Sequence, residues 1–528
     1  MPFSKKITRE PAPANPNRRS VLKGGAALGM ATAAGLWMPA AAAAAAEPRR
    51  GGHAIFAIGK ASTSDNLDPR IVHADFMTIT RVTLHDTLFE ITSTGDIIPS
   101  IAESAEANDD ATVWRVAIKP GVTFHNGQAV TVEDVVNSIN LHIAEGSISH
   151  LKTVMSHLDR IEADGNTVIF HLTEGDADWT ANLAEYALSI LPTKDGASDW
   201  QSGIGCGPYR LVQLEPGVRV RVEKFENDHR SDRGWFDSVE MVAVNDASAR
   251  VNSIMSGEAH AISEVSPIVA NRLARAPGVN VLSRTSPGYC AFDAQMTMSP
   301  MDDRNVRLAL KYAIDREEFV EKILAGHGTV ANDQPIGPTY RYHAEIEQHS
   351  YDPDRARFHL KEAGLDGLNI KLSTSEAAFA GAVDAAQLYS ESSRAAGINM
   401  SVGREPADGF WTNVWGKVPF CASFWTGRPT EALIISLAYG SDASWNLSGF
   451  TSATLDRLVA QARAEQDEAK RAELFAEAQR LLNKDGPSVM PAFYNVVDAV
   501  SDQIGVTETD VSTAPLDSRY AVSRWWFK

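Results

Sequence analysis

The chain has 528 residues, with 49 Lys or Arg against 67 Asp or Glu, for a formal net charge of −18 at pH 7. Such an acidic balance excludes a nucleic-acid partner, which needs a basic stripe, and the length exceeds the ~250–300 residues at which a single core stops growing. Three cysteines, Cys206, Cys290 and Cys421, are too few and too scattered for a disulfide framework or a metal knuckle. They read as buried thiols, with one bridge as the alternative.

From the N-terminus, adjacent Arg18 and Arg19 precede Gly24 to Ala46, a stretch without one charged residue that ends in an alanine tract. A charged start, an apolar middle and a run of small residues form a secretory signal cleaved near Ala46, and the paired arginines match the twin-arginine export pattern. An uncleaved anchor would fit by length, but alanine and glycine supply little transfer energy. Loss of residues 1–46, which hold six basic residues and one acidic, takes the net charge from −18 to −23 on a mature, exported, periplasmic chain.

Strands then alternate with amphipathic helices. His53–Ile58 reads as a strand, and Trp114–Lys119 alternates at period two before the Pro120-Gly121 turn. Thr131-Val-Glu-Asp134 has the form of a capping box, with Val135, Val136, Ile139 and Ile143 on one face of the helix behind it. Asp315 to Glu318 repeats the device. Asp352-Pro353 predicts a helix that stops at Gly364. One long helix is expected from about Thr454 to Leu482, with Leu474, Ala478, Leu481 and Leu482 on a stripe, broken by Asp485-Gly486-Pro487 ahead of a strand at Val489–Tyr494. The fold class is α/β, without a repeat or a floppy linker.

These segments resemble the extracytoplasmic solute-binding proteins of family 5, the peptide/nickel-type partners of ABC importers. The likeness is carried by Gly51-Gly52, Leu67-Asp68-Pro69, Leu88-Phe-Glu90, Pro99 to Glu103 and Ile118 to Gly127. It continues through Gly205-Cys-Gly-Pro-Tyr209, where Cys206 replaces the family's threonine, then Asn305 to Asp315, Tyr351 to Ala356 and Glu362 to Leu365. The resemblance implies a two-lobed periplasmic-binding-protein fold (class II-like, cluster C) with an extra subdomain in the larger lobe. Residues 47–288 would form lobe I, with the subdomain at roughly 85–200; 289–490 would form lobe II, and 491–528 would return to lobe I. The crossovers would lie near Arg284–Asp293 and Val489–Asn495. Implied partners are a peptide or small-molecule ligand, membrane permease subunits and separate ATPases. A monomer without a cofactor or a metal is expected.

Phe410 to Phe450 is dense in aromatic residues, which supply stiff apolar contact area for a ligand. Trp411 and Trp415, four apart on a helix, favour core packing over ligand contact. Trp425, Trp445 and Asn446 lie in loops and favour the cleft. The family's cleft loop aligns with Trp425 to Glu431, and there the aspartate that grips a peptide's amino terminus is missing. Arg428 and Glu431 stand nearby instead. The arginine that dipeptide binders use for the carboxylate should fall near Thr374 to Gly381, and none is present. Arg428 therefore reads either as a bidentate contact to a ligand carboxylate or as an ion pair with Glu431. Glu431 could instead meet an ammonium group, and Tyr289 and Tyr209 read as secondary ligand contacts or as core hydroxyls. These altered anchors keep opine-like carboxylates, nickel chelates and haem open as solutes beside peptides.

An exported hydrolase is the reading from another class. No Gly-x-Ser-x-Gly elbow, His-Glu-x-x-His helix or Walker loop occurs, so no catalytic residue is assigned. His343 and His349, flanking Glu345 and Glu347, read as a solvated charged loop.

Overall fold

The computed structural model describes residues 48–71, 74–92, 95–152, 154–443 and 445–528. The export signal and its cleavage point lie outside these described residues.

Two sheets organise the molecule. The first has seven strands in the order Tyr209–Glu215, Arg219–Lys224, Ser238–Ala243, His53–Ile58, Ala261–Ile262, Val496–Ser501 and Val279–Arg284. The second has six: Gly328–Val330, Ser488–Tyr494, Tyr289–Ala294, Phe420–Trp425, Leu368–Thr374 and Ile398–Arg404. Each carries its own buried core, the first around Phe56, Phe236 and Trp525, the second around Phe292, Tyr389 and Phe420. Two cores are what a chain of this length requires.

The sheets are joined by two neighbouring segments. Val279–Arg284 ends in the first sheet and, after Thr285–Gly288, Tyr289–Ala294 begins at the centre of the second. The chain returns from Ser488–Tyr494 through Asn495 to Val496–Ser501. These crossovers run antiparallel in register, with Arg284 opposite Val496 and Tyr289 opposite Phe493. A Cβ on Gly288 would collide with the Tyr494 phenol, so the pair can lie this close only with glycine there. The lobe boundary expected at 490 falls inside the strand Ser488–Tyr494.

A four-stranded antiparallel sheet, Ala102–Ala107, Val113–Ile118, Thr167–Leu172 and Leu158–Asp164, builds a subdomain with the helix Val132–Ile143. That helix starts where the sequence says. Thr131 Oγ1 accepts from Asp134 N, Asp134 Oδ2 accepts from Thr131 N at 2.8 Å, and Val135 and Ile139 are buried. The helices Arg316–Lys322 and Pro353–Glu362 begin at the Asp315 and Asp352 caps.

The long helix is corrected. Ala453–Ala464 ends, and Glu468–Asp485 starts anew under Asp467, whose carboxylate accepts from Ala469 N and Lys470 N. An N-cap aspartate inside an apparently continuous pattern competes with propagation and wins. The charged-loop reading of His349 is corrected too, because its Nδ1 lies 2.7 Å from Asp333 Oδ2 in the interior. All three cysteines are free and buried.

Candidate functional site

The strand Phe420–Trp425, interior to the second sheet, ends in the aromatic segment. Four indoles form a chain there, with ring centroids 5.5 Å apart for Trp411–Trp415, 6.3 Å for Trp415–Trp425 and 6.0 Å for Trp425–Trp445. Trp425 is buried, Trp415 is half-buried with Nε1 donating to Asp293 Oδ2 at 3.3 Å, and Trp411 and Trp445 are exposed. Trp415, Trp425 and Trp445 line a cavity of only about 20 Å³, room for a single water. In this conformation the indoles pack on one another.

Four other sequence candidates are engaged within the protein itself. Tyr289 is fully buried, its hydroxyl 3.1 Å from Tyr439 Oη. Asn446 organises its own turn, with Nδ2 donating to Gly440 O and Phe450 O and Oδ1 accepting from Ser448 Oγ. Glu431 is buried and accepts from Tyr342 N at 2.7 Å, and burial pushes its carboxyl pKa upward. Tyr209 is likewise a core hydroxyl, accepting from Phe236 N. Arg428 and Glu431 do not pair with each other. The Arg428 guanidinium donates to Thr426 O at 3.1 Å, Thr426 Oγ1 at 2.6 Å and Gly427 O at 3.2 Å, and sits 5.9 Å from the Trp445 ring centroid.

A ligand-sized space opens elsewhere. A cavity of about 660 Å³ lies between the subdomain, through Lys152, His157, Asp176 and Asn182, and the second lobe, through Thr430, Leu433, Ser436 and Arg463. This is within the ~300–1,000 Å³ of small-molecule sites. Most of the second-lobe wall falls within the aromatic segment singled out in the sequence, whereas nothing marked the subdomain wall, which comes from a segment far away in the chain.

The two walls are bonded to each other. Ala177 N donates to Arg463 O at 2.8 Å, Gln466 Nε2 donates to Asn108 O at 3.1 Å and Asp109 O at 2.6 Å, and Arg471 pairs with Asp178. Arg463 also meets His157 Nε2; burial and that guanidinium both depress the His157 pKa, so the imidazole accepts in its neutral form. Asp176, buried beside Asp178, is pushed up to about 6. At the crossover, burial raises the Tyr494 phenol pKa, and its hydroxyl donates to Trp425 O at 3.3 Å.

Among the described residues one group has metal-like spacing, Asp86, Asp228 and His229. Arg230 Nη2 stands 2.7 Å from Asp86 Oδ2, so the space a cation would need is occupied by a guanidinium. The arrangement is an ion-pair network and fits no metal. No helix among the described residues is long and apolar enough to cross a membrane.

Comparison with known proteins agrees with this architecture. The family model for bacterial extracellular solute-binding proteins, family 5 (middle region), matches residues 96–446. The dipeptide-binding protein of Escherichia coli K12 is 25% identical over 481 residues, covering 80% of this chain and 86% of that protein. Among solved structures, the periplasmic binding protein DppA of Helicobacter pylori in complex with the peptide STSA superposes with a TM-score of 0.76 at 20% identity, covering 91% of this chain and 98% of that one. AgaA of A. tumefaciens R10 in complex with agropinic acid gives a TM-score of 0.76 at 21% identity, covering 90% and 99%.

Proposed function

The chain belongs to the bacterial extracellular solute-binding proteins of family 5, and on that premise we propose that it is the periplasmic capture subunit of an ABC importer, holding a peptide or similar amphipathic solute between its lobes. The observation that carries the reading is the pair of short crossovers with a cavity of about 660 Å³ beyond them, walled by both lobes. A hinge of two strands lets the walls part and close around a ligand, and the closed surface is what permease subunits would meet. No covalent step is required, and hydrolysis of ATP belongs to separate subunits. Export by the twin-arginine route rests on Arg18 and Arg19 alone, and an export reporter carrying the double substitution to lysine tests it.

A second reading, an acidic conjugate in place of a simple peptide, is favoured by Arg428 and by the lack of an arginine at 374–381. A thermal-shift screen of the mature chain, stripped of carried-over ligand by partial unfolding, separates the two. At a hundredfold excess over Kd a ligand adds about 2.7 kcal/mol to the folded state, a shift of several degrees. Stabilisation by di- to pentapeptides alone supports the peptide reading; stabilisation by an anionic conjugate, a nickel chelate or haem alone removes it. Arg428→Lys keeps the charge but loses the fork, so we expect affinity for a carboxylate ligand to fall about tenfold. Unchanged affinity would sink Arg428 as a ligand contact.

A further inference from the structure

Acid outweighs base on both walls of the large cavity. The subdomain contributes Glu174, Asp176 and Asp178, from the segment behind the strand Thr167–Leu172, against Lys152. The second lobe contributes Asp442, and Asp456 from the helix Ala453–Ala464, against Arg463. His157 adds no charge, because it accepts from Arg463 in its neutral form.

The protein's own cations do not cancel this excess. Arg471 pairs with Asp178 alone. Arg463 is tied to His157 and to Ser436 Oγ, to which its Nη2 donates at 3.0 Å. Among the described residues Asp176, Asp442 and Asp456 make no ion pair with Lys or Arg, and Glu174 reaches only the neutral His157, at 3.9 Å. Asp456 is held by a neutral donor, Ser441 N, at 3.1 Å. Asp176 is the most deeply placed of them at 3% exposure, yet it still lines the cavity. Its Oδ1 accepts from Asp178 N at 2.9 Å and its Oδ2 from Asn182 Nδ2 at 2.8 Å. Two neutral dipoles therefore fix the carboxylate without supplying a countercharge, and a buried carboxylate in that position is costly until a cation meets it. Burial and the neighbouring Asp178 push its pKa up to about 6, which leaves it mostly ionised at neutral pH.

We propose that the cavity selects cationic solutes, with Asp176 on the subdomain wall and Asp442 and Asp456 on the second-lobe wall receiving an ammonium or guanidinium group. The inference rests on the capture reading above and names its solute class. Carboxylates on facing walls repel one another as the walls approach, and a cation between them turns that repulsion into attraction. An acidic solute would meet repulsion from both walls. A basic peptide side chain and a free diamine carry the same chemistry, so the probes include both.

The test is calorimetric titration of the full mature chain with matched probes, Ala-Lys against Ala-norleucine and Ala-Arg against Ala-citrulline, with putrescine as the free diamine. We expect a cationic dipeptide to bind about tenfold or more tighter than its neutral partner, or putrescine to bind where neutral dipeptides do not. The first result assigns the cation to a peptide side chain and the second to an amine, and both support the site. Asp176→Asn, which keeps the shape and an acceptor, should cut the preference about fivefold or more. Asp442→Asn, at an exposed position that does not threaten the fold, should lower it from the opposite wall. Equal binding within both pairs with no binding of putrescine overturns the proposal, as does a preference that both variants leave unchanged, and in either case the clamp stands. Absence of binding by every solute of the wider screen takes the capture reading down as well.

Discussion

Asp333 concentrates much of the second lobe's polar interior in one carboxylate. Arg316 Nη2 donates to its two oxygens at 2.8 and 2.7 Å, His349 Nδ1 lies at 2.7 Å, and Met490 N donates at 2.8 Å. Burial alone would raise its pKa, but the Arg316 charge and the His349 contact outweigh it and hold the group at about 2. A native value below the ordinary 3.8 means that the folded state releases this proton more readily. The stabilisation is therefore complete above about pH 4 and is lost as pH falls toward 2. We expect Asp333→Asn to cost about 3–5 kcal/mol at neutral pH, because Arg316 is left buried and under-paired, and to flatten the acid limb of the stability curve. Urea unfolding at a series of pH values checks both, and a limb of unchanged slope would exclude the assignment.

At the level of elements, caps decide where helices begin. Thr131, Asp315, Asp352 and Asp467 each bond the amides that a new helix leaves open. Asp467→Ala should cost about 1 kcal/mol and fray the start of Glu468–Asp485, where Arg471 reaches Asp178 of the subdomain. Hydrogen exchange at Ala469 and Lys470 reads the fraying directly, and protection equal to wild type would count against the cap. Three of these caps are legible in the sequence, Thr131 and Asp315 by their capping-box spacing and Asp352 by the proline at the first helical position. Asp467 is hidden, since charged residues on both sides are equally compatible with a continuing exposed helix face.

For the whole molecule, we expect the bonds between subdomain and second lobe to favour the closed arrangement. Gln466→Ala combined with Arg471→Gln removes side-chain bonds across that seam, a loss of about 1–2 kcal/mol of closure. The apparent affinity should then fall roughly 5–30-fold, in proportion to the competent fraction. Small-angle scattering of the unliganded variant should report a larger radius of gyration. An unchanged radius and affinity would mean that the seam does not govern closure.

By itself the sequence determined the acidic balance, most helix starts and the family, because each is written in composition, in local spacing or in an ordered run of short motifs. It also singled out the tryptophan segment, which in the folded chain closes largely on itself around about 20 Å³. Only the tertiary structure decided which groups face one another across the lobes. Gln466 meets Asn108 and Asp109, and Arg471 meets Asp178, across segments far apart in the chain. Their meeting follows from two crossovers that fold one wall against the other, a long-range condition that no local pattern encodes.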